Sequence, residues 1–488
     1  MQMPDIFTDV SWSILLVLLP LTGGICCFLF PKLVKILGLL SVSGVALAVV
    51  GLAIQIQTLG ALRYPIGGWG APLGIELYAD GLSLLMLAMT ASVALAVSIY
   101  STGYFNDKQQ HRFWPLWLFM LAALNALFLS ADIFNLYVTL ELMGLSAVAL
   151  AALSGTSAAV GGAMRYLLST LLGSLLYLLG VALLYHSYAT VDISILSEKI
   201  TSTTIVWTAT GLITAGLALK TALFPLHFWL PPAHASAPAP VSAVLSALVV
   251  KASFYILLRL WLEVFDQVSE AAESLLGLLG AMAILWGSMQ ALRQTRVKLL
   301  VAYSTVAQIG YLFLAFPLAT TAGINPWHAV SYLALSHALA KAAMFMAAGN
   351  LLRFGGHDRI ADMDRVVQRL PLTAATFALA GVSIMGLPPS GGFIGKWLLL
   401  QSALSQGRWE LAMVMIIGGL LAAAYVFKVL GHAFTQAEVS HEAKTVPASM
   451  EWTALLLAGT AIVIGFTATD IFTLVETGAP FGHVEVKP

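Results

Sequence analysis

Four lysines, Lys220, Lys251, Lys341 and Lys396, sit inside runs apolar enough to cross a lipid bilayer. A cation at that depth costs at least about 2.5–3.5 kcal/mol on insertion scales, so several in one chain line an ion pathway or pair with buried acids. Desolvation also disfavours the charged form of an amine, which lets such a group release and regain a proton. Glu141, within Leu136-Tyr137-Val138-Thr139-Leu140-Glu141-Leu142-Met143-Gly144, is the clearest acid at depth and is the expected partner of Lys220. The two make either a switchable pair or a static salt bridge that orders helices. His337 and Lys341 are four apart and Lys220 and His227 seven apart, spacings that place each pair on one helical face. Histidine titrates nearest neutral pH and can hand a proton between groups of different affinity. Lys220, Lys251, His337, Lys341 and Lys396 are therefore expected to form a hydrated file. His227, His234, Ser304 and Thr305 are candidate relays, and Ser246 and Ser253 candidate supports for water, although such residues serve equally often as packing contacts between membrane helices. Asp80 and Asp132 are expected at the interface, and Arg165 and Tyr166 as anchors.

The elements that must hold these residues follow from composition. Hydrophobic residues make up 59% of the 488 positions and charged residues only 9%, against about 25% charged in soluble domains. A soluble globular protein is excluded. The runs are continuously apolar, without the alternation of barrel strands, so the fold class is an all-α polytopic membrane protein. Polar breaks give about fourteen spans: 11–30, 36–57, 80–103, 113–130, 133–153, 163–187, 204–229, 240–263, 272–291, 299–317, 327–352, 370–405, 409–432 and 450–473. With both termini outside, fourteen of the 23 lysines and arginines fall in inner loops and five, Arg63, Lys199, Arg259, Arg408 and Lys487, outside or near the outer ends. That asymmetry fits the positive-inside rule and an even span count. Met1-Gln2-Met3-Pro4-Asp5 carries no positive charge before the first apolar run, so no cleaved leader is expected.

Two spans are interrupted. In the seventh, Pro225 removes a backbone donor and clashes with the carbonyl of Thr221, beside Lys220. In the twelfth, Gly386-Leu387-Pro388-Pro389-Ser390-Gly391-Gly392 precedes Lys396. An offset of five spans gives the related helices opposite orientations, as in inverted-repeat transporters whose broken helices present backbone dipoles to the transported ion. The chain divides accordingly into 1–112 (helices 1–3), 113–263 (helices 4–8, first repeat), 264–432 (helices 9–13, second repeat) and 433–488 (loop, helix 14 and short tail). Cys26 and Cys27 are neighbours in the first span, which argues against a cysteine-based metal or cluster site. Ser390 to Trp397 lacks both the first glycine and the Ser/Thr of a phosphate loop, and His227 and His234 lack nearby acids for a metal. No cofactor is expected, so any redox centre belongs to a partner.

Three spaced motifs carry a resemblance. Ala218 to Leu248, with Lys220, Pro225-Leu226-His227, Trp229-Leu230-Pro231, Ala233-His234 and Ala237-Pro238-Ala239-Pro240-Val241-Ser242, is similar to the signature of the proton-translocating antiporter-like subunits. Those subunits occur in respiratory complex I, membrane-bound hydrogenases and Mrp-type cation/proton antiporters. Lys298 to Gly310 resembles a second signature of the family, and Gly386 to Lys396 a third. The resemblance implies fourteen core helices with two inverted five-helix units. It implies Glu141 as the acid of helix five, Lys220 as its partner, Lys251 as the connecting residue, His337 and Lys341 as the central relay, and Lys396 as the terminal station. Lysine at 396 departs from complex I subunits with glutamate there, and the lack of a long trailing arm departs from the longest subunit type. Glu141-Leu142-Met143 and Gly391-Gly392-Phe393-Ile394-Gly395-Lys396 look most like the D-type member of the cation antiporters. Quinone-reducing, hydrogenase and inorganic-carbon uptake complexes stay open, as do two other classes, a stand-alone organic-solute carrier and a structural scaffold. The implied partners are other membrane subunits, protons, sodium or potassium moved by the complex, and lipid, with no nucleic acid. The implied location is an energy-transducing membrane, the bacterial inner membrane.

Overall fold

The computed structural model describes residues 10–72, 74–265, 270–319, 326–436 and 444–478. Met1 to Asp5 and Lys487, which bear on the reading of leader and sidedness, lie outside the described residues, as does 437–443 of the loop 433–449. Twelve helices among the described residues are long and apolar enough to cross a membrane. In chain order the helices used below are α1 (Trp12–Leu29), α2 (Val34–Leu59), α3 (Gly81–Tyr104), α4 (Asp107–Phe128), α5 (Ile133–Ala151), α6 (Ser157–Tyr188) and α7 (Thr204–Thr221). They continue with α8 (Leu230–Ser236), α9 (Ala239–Glu263), α10 (Glu270–Arg293), α11 (Val297–Phe313) and α12 (Pro326–Gly355). The last are α13 (Pro371–Met385), α14 (Gly391–Ser405), α15 (Trp409–Ala433) and α16 (Ala448–Val463). The run expected at 113–130 begins earlier, at Asp107, because Asn106 and Gln109 form a capping box ahead of it. The run expected at 370–405 is divided between α13 and α14.

α9 and α12 form the centre: the most apolar stretch of each is fully buried, whereas α1, α2, α15 and α16 keep much of their surface outward. A two-stranded antiparallel hairpin, β1 (Leu62–Pro65) and β2 (Glu76–Ala79), lies between α2 and α3 and is absent from the all-helical expectation. Its second strand is tied to the α4–α5 corner by Tyr78 N–H to Leu129 O, 2.7 Å. Asp80 and Asp132, expected at the interface, are instead buried helix caps that accept from the backbone N–H of Ser83 and Asn135. Their carboxylates satisfy orphan donors and complement the helix dipole.

Both expected breaks end their helix in the same way. After α7, Ala222 is left-handed (φ 60°) and Leu223 N–H returns to Ala218 O at 3.0 Å; after α13, Gly386 is left-handed (φ 81°) and Leu387 N–H returns to Val382 O at 3.1 Å. These are Schellman-type ends, one of them on an alanine that bears the steric cost glycine avoids.

Small residues set the helix spacing where these pieces cross. A Cβ on Gly392 would lie 2.0 Å from Ser383 O, and one on Gly216 2.4 Å from Gly173 O, so α14 touches α13 and α7 touches α6 at backbone distance. Gly392→Ala is expected to cost about 1–3 kcal/mol by overpacking, read as a lower melting midpoint in detergent. Gly431→Ala, whose Cβ meets nothing within 4 Å, is expected to leave the midpoint unchanged or raised. Equal midpoints for the two variants would refute a tight α13–α14 crossing.

Candidate functional site

Lys220 occupies the last turn of α7 and Glu141 the middle of α5; their Nζ and Oε1 atoms are 3.0 Å apart. α6 completes the pair, because Lys220 donates to Thr170 Oγ1 at 2.7 Å and Ser174 Oγ donates to Glu141 Oε1. Gly173, between the two hydroxyl residues on α6, leaves room for the lysine stem: a Cβ there would come within 3.0 Å of Lys220 Cγ. The carbonyl of Leu219 beside the break accepts from Ala222 N–H at 3.2 Å and from Trp229 Nε1 at 2.9 Å, and that indole stacks on Tyr166 with centroids 4.5 Å apart. Tyr166 is thus a buried brace, not an anchor, while Arg165 stays exposed.

The central lysines share a polar seam where α9, α11 and α12 meet. A π turn over Leu245–Val249 frees the Ser246 carbonyl, and Lys251 Nζ donates to it. Ser246 Oγ and Thr305 Oγ1 are 2.8 Å apart, and Thr305 donates to Val301 O at 3.0 Å. Lys341 donates to the same carbonyl at 3.0 Å and also to Ser304 Oγ. One polar contact chain thus runs from Lys251 to Lys341. His337, a turn from Lys341 on α12, has neither ring nitrogen paired, is fully enclosed, and faces Lys251, Lys341 and Lys396.

Lys396 lies in α14 and reaches back across the break, donating to Ile384 O at 2.6 Å. Ile384 is in the last turn of α13, whose unpaired carbonyls and dipole favour a cation. The ammonium also lies 4.3 Å from the centroid of the Tyr311 ring. Gln308 donates to the same Ile384 carbonyl, and Tyr425 faces both Gln308 and Ser304, so polar groups continue from Lys341 toward Lys396.

Of the sequence-expected residues, the structure brings Glu141 to Lys220, and Lys251, Ser304, Thr305, His337 and Lys341 to one seam. No hydrogen bond of Lys220 among the described residues reaches Lys251. His227 does not share a face with Lys220, because α7 ends at Thr221 and His227 sits in the following 3-10 turn, stacked on Phe224. His234 is buried on α8 with both nitrogens unpaired, stacked on Phe345 and facing Lys298, Lys341 and Lys251. Lys298, expected in an inner loop, is 2% exposed and donates to Ala237 O. Arg259, expected at the outer end, is buried against Asp80. Burial, with Asp192 opposite, also pushes the Asp132 carboxyl above its ordinary range. Sequence reading missed Thr170, Ser174, Gln308, Tyr311 and Tyr425; the i,i+4 spacing of Thr170 and Ser174 in an apolar run was the one usable signal.

The profile described as NADH:quinone oxidoreductase/Mrp antiporter, TM, matches residues 130–422, and that described as NADH-Ubiquinone oxidoreductase (complex I), chain 5 N-terminus, matches 68–114. The N subunit of the NADH-quinone oxidoreductase of Desulforudis audaxviator is 34% identical over 86% of this chain and 87% of its own length. The D subunit of the Na(+)/H(+) antiporter of Bacillus subtilis is 30% identical, covering 87% of each. A chain of an archaeal membrane-bound sulfane sulfur reductase superposes with a TM-score of 0.89 at 27% identity, over 97% of this chain and 98% of that one. A chain of the Mrp complex from Dietzia sp. DQ12-45-1b gives 0.88 at 23% identity over 96% of each, a likeness of fold.

Trp229→Phe keeps the stacking on Tyr166 but removes one of the two hydrogen bonds that the Leu219 carbonyl accepts. The expected cost is about 0.5–1.5 kcal/mol, seen as a lower melting midpoint, and a wild-type midpoint would show that the α7 break does not depend on this bond.

Proposed function

The chain belongs to the NADH:quinone oxidoreductase/Mrp antiporter family of membrane subunits, and on that premise we propose that it is the D-type proton-translocating component of a multi-subunit cation/proton antiporter. The observation that carries the reading is the Glu141–Lys220 pair at 3.0 Å beside a broken helix, with three further buried lysines beyond it. Protons are exchanged at Glu141 and Lys220, pass Lys251 and the His337/Lys341 relay, and reach Lys396. Ser304 and Thr305 contribute hydroxyls to the central step, and His234 borders it.

The pair supplies the switch. While Glu141 neutralises Lys220, the ammonium adds little field to its surroundings; when the pair opens, an uncompensated charge bears on the central lysines and changes their proton affinity. The unequal surroundings of the partners favour such opening. Lys220 is almost fully enclosed, whereas the Glu141 side chain keeps 19% of its surface open.

The reading includes fourteen crossings with inverted units at 113–263 and 264–432, supported by the matching helix ends after α7 and α13. It also includes residence in a bacterial inner membrane with the positively charged loops inside. A second reading, an antiporter-like subunit of a quinone oxidoreductase, is favoured by the 34% identity to the N subunit of such an enzyme. Subunits that purify with the chain separate the two: small antiporter subunits support the first, and peripheral redox subunits the second. In either assembly, Lys220→Ala or Glu141→Gln is expected to abolish proton-coupled transport in membrane vesicles while the complex still forms. Wild-type rates at equal abundance would sink the path, and loss of assembly without a transport defect per complex would favour a scaffold.

A further inference from the structure

Lys251, Tyr255, Arg259 and Glu263 recur every fourth residue along α9 and so form one stripe from the central lysine to the helix end. The first three are buried, and Glu263 is partly open, with 28% of its side-chain surface exposed. A polar stripe joining a proton-carrying lysine to a helix end is a leak path unless something interrupts it. The proposed proton path uses Lys251 but none of the three residues beyond it, and the helix end lies opposite the expected inner loops.

From Tyr255 outward the groups along the stripe are tightly joined. Tyr255 donates to Phe128 O at 2.9 Å and accepts from Arg259 Nη2 at 3.0 Å. Arg259 Nη2 also donates to Ser83 Oγ at 3.0 Å and Asp80 Oδ1 at 2.9 Å, while Nη1 donates to Asp80 Oδ2 at 2.6 Å and Glu263 Oε1 at 2.8 Å. The guanidinium lies 5.7 Å and 5.3 Å from the ring centroids of Tyr78 and Tyr255. Asp80 is itself fixed by the backbone N–H of Ser83 at 2.8 Å.

A proton moves along hydrogen bonds only through groups that both donate and accept. Arginine has donors alone and keeps its proton. Every hydrogen bond of Arg259 here points outward from the guanidinium, which therefore offers a proton on the Tyr255 side no lone pair; the one amphoteric neighbour, Ser83 Oγ at 3.3 Å from Tyr255 Oη, leads only to the Asp80 site, whose two carboxylate oxygens are both taken by Arg259. The bidentate pairing with buried Asp80 holds the fork in place and keeps water from replacing it.

We propose that the Asp80–Arg259 pair is a proton seal, a positioning element that closes the Glu263 end of α9 so that protons at Lys251 pass to Lys341 instead of escaping. The inference rests on the proton path proposed above. Removing Arg259 alone would strand a buried carboxylate, so the informative variant is the neutral, hydrogen-bonding double substitution Asp80→Asn/Arg259→Gln, made in the intact complex. Membrane vesicles containing it are given an imposed pH gradient, and its passive decay is followed with a pH-sensitive dye. Decay is expected to be at least about tenfold faster than wild type at equal abundance, the factor that follows when one charge-assisted hydrogen bond is taken out of the barrier. Arg259→Lys, still donor-only, is expected to hold the gradient. An unchanged decay in the double variant overturns the seal, as does its failure to assemble, which would make the pair a folding element. A leak of the same size in Arg259→Lys also overturns it. The gradient is imposed, so the readout needs no turnover at Glu141 and Lys220; a leak here together with normal transport in Lys220→Ala would discard the path and keep the seal.

Discussion

A buried ammonium needs oxygen acceptors, and inside a helix bundle free main-chain carbonyls occur mainly where helices stop or bulge. Four lysines follow that constraint, whereas Lys341 takes Val301 O within α11 and Lys220 takes the Glu141 carboxylate and a hydroxyl. Lys396 takes the Ile384 carbonyl at the end of α13, Lys251 the Ser246 carbonyl released by a π turn, and Lys298 the Ala237 carbonyl between α8 and α9. Lys428 takes Leu292 O and Gln294 O at the end of α10. Breaks and charges are therefore one design. A carbonyl stabilises the cation without neutralising it, so these lysines are solvated by the protein yet still electrostatically exposed to one another.

Two kinds of charged cluster result. Arg259 has a bidentate carboxylate, a second carboxylate, two hydroxyls and two aromatic faces, an environment with no spare valence. Lys220 has one carboxylate oxygen and one hydroxyl, and its partner Glu141 has one hydroxyl besides. A buried pair with few additional hydrogen bonds recovers less of its desolvation cost and separates more easily. The first cluster is held by more partners than the second, which is what the proposed switch at Glu141 and Lys220 requires.

Much of this is legible in the sequence. The four lysines, the acid at Glu141 and both interruptions can be placed because an apolar background makes each polar residue conspicuous. The rest is hidden for physical reasons. Lys298, Arg259, Asp80 and Asp132 stand at the edges of apolar runs, where hydropathy cannot tell an interface from a cap packed beneath a hairpin. His227 falls on the Lys220 face only if the helix is extended past Thr221, where it stops, and helical phase carries no meaning across a break. Thr170, Ser174, Gln308 and Tyr425 matter through contacts between distant helices, which no local pattern records. The π turn at Leu245–Val249 has an ordinary helical sequence; its extra residue is visible only in the hydrogen bonds.

The two ends of the lysine file are unlike its middle. Lys251, His337 and Lys341 are enclosed on every side. Glu141, by contrast, adjoins the outward-facing Leu142 and Leu145, and Lys396 opens onto a cleft bordered by Phe393, Trp397 and Ile416, the last two also outward-facing. Charge at either end is therefore separated from the surroundings of the chain by little more than one side chain, whereas charge in the middle is insulated. In lipid alone both ends would be costly positions. Beside other membrane subunits they become the places where a neighbour's charge acts on the file, because Coulomb interactions across a thin, dry contact decay slowly. On the proposed path, a row of lysines ending near both lateral faces would pass electrostatic changes through the subunit as well as protons along it.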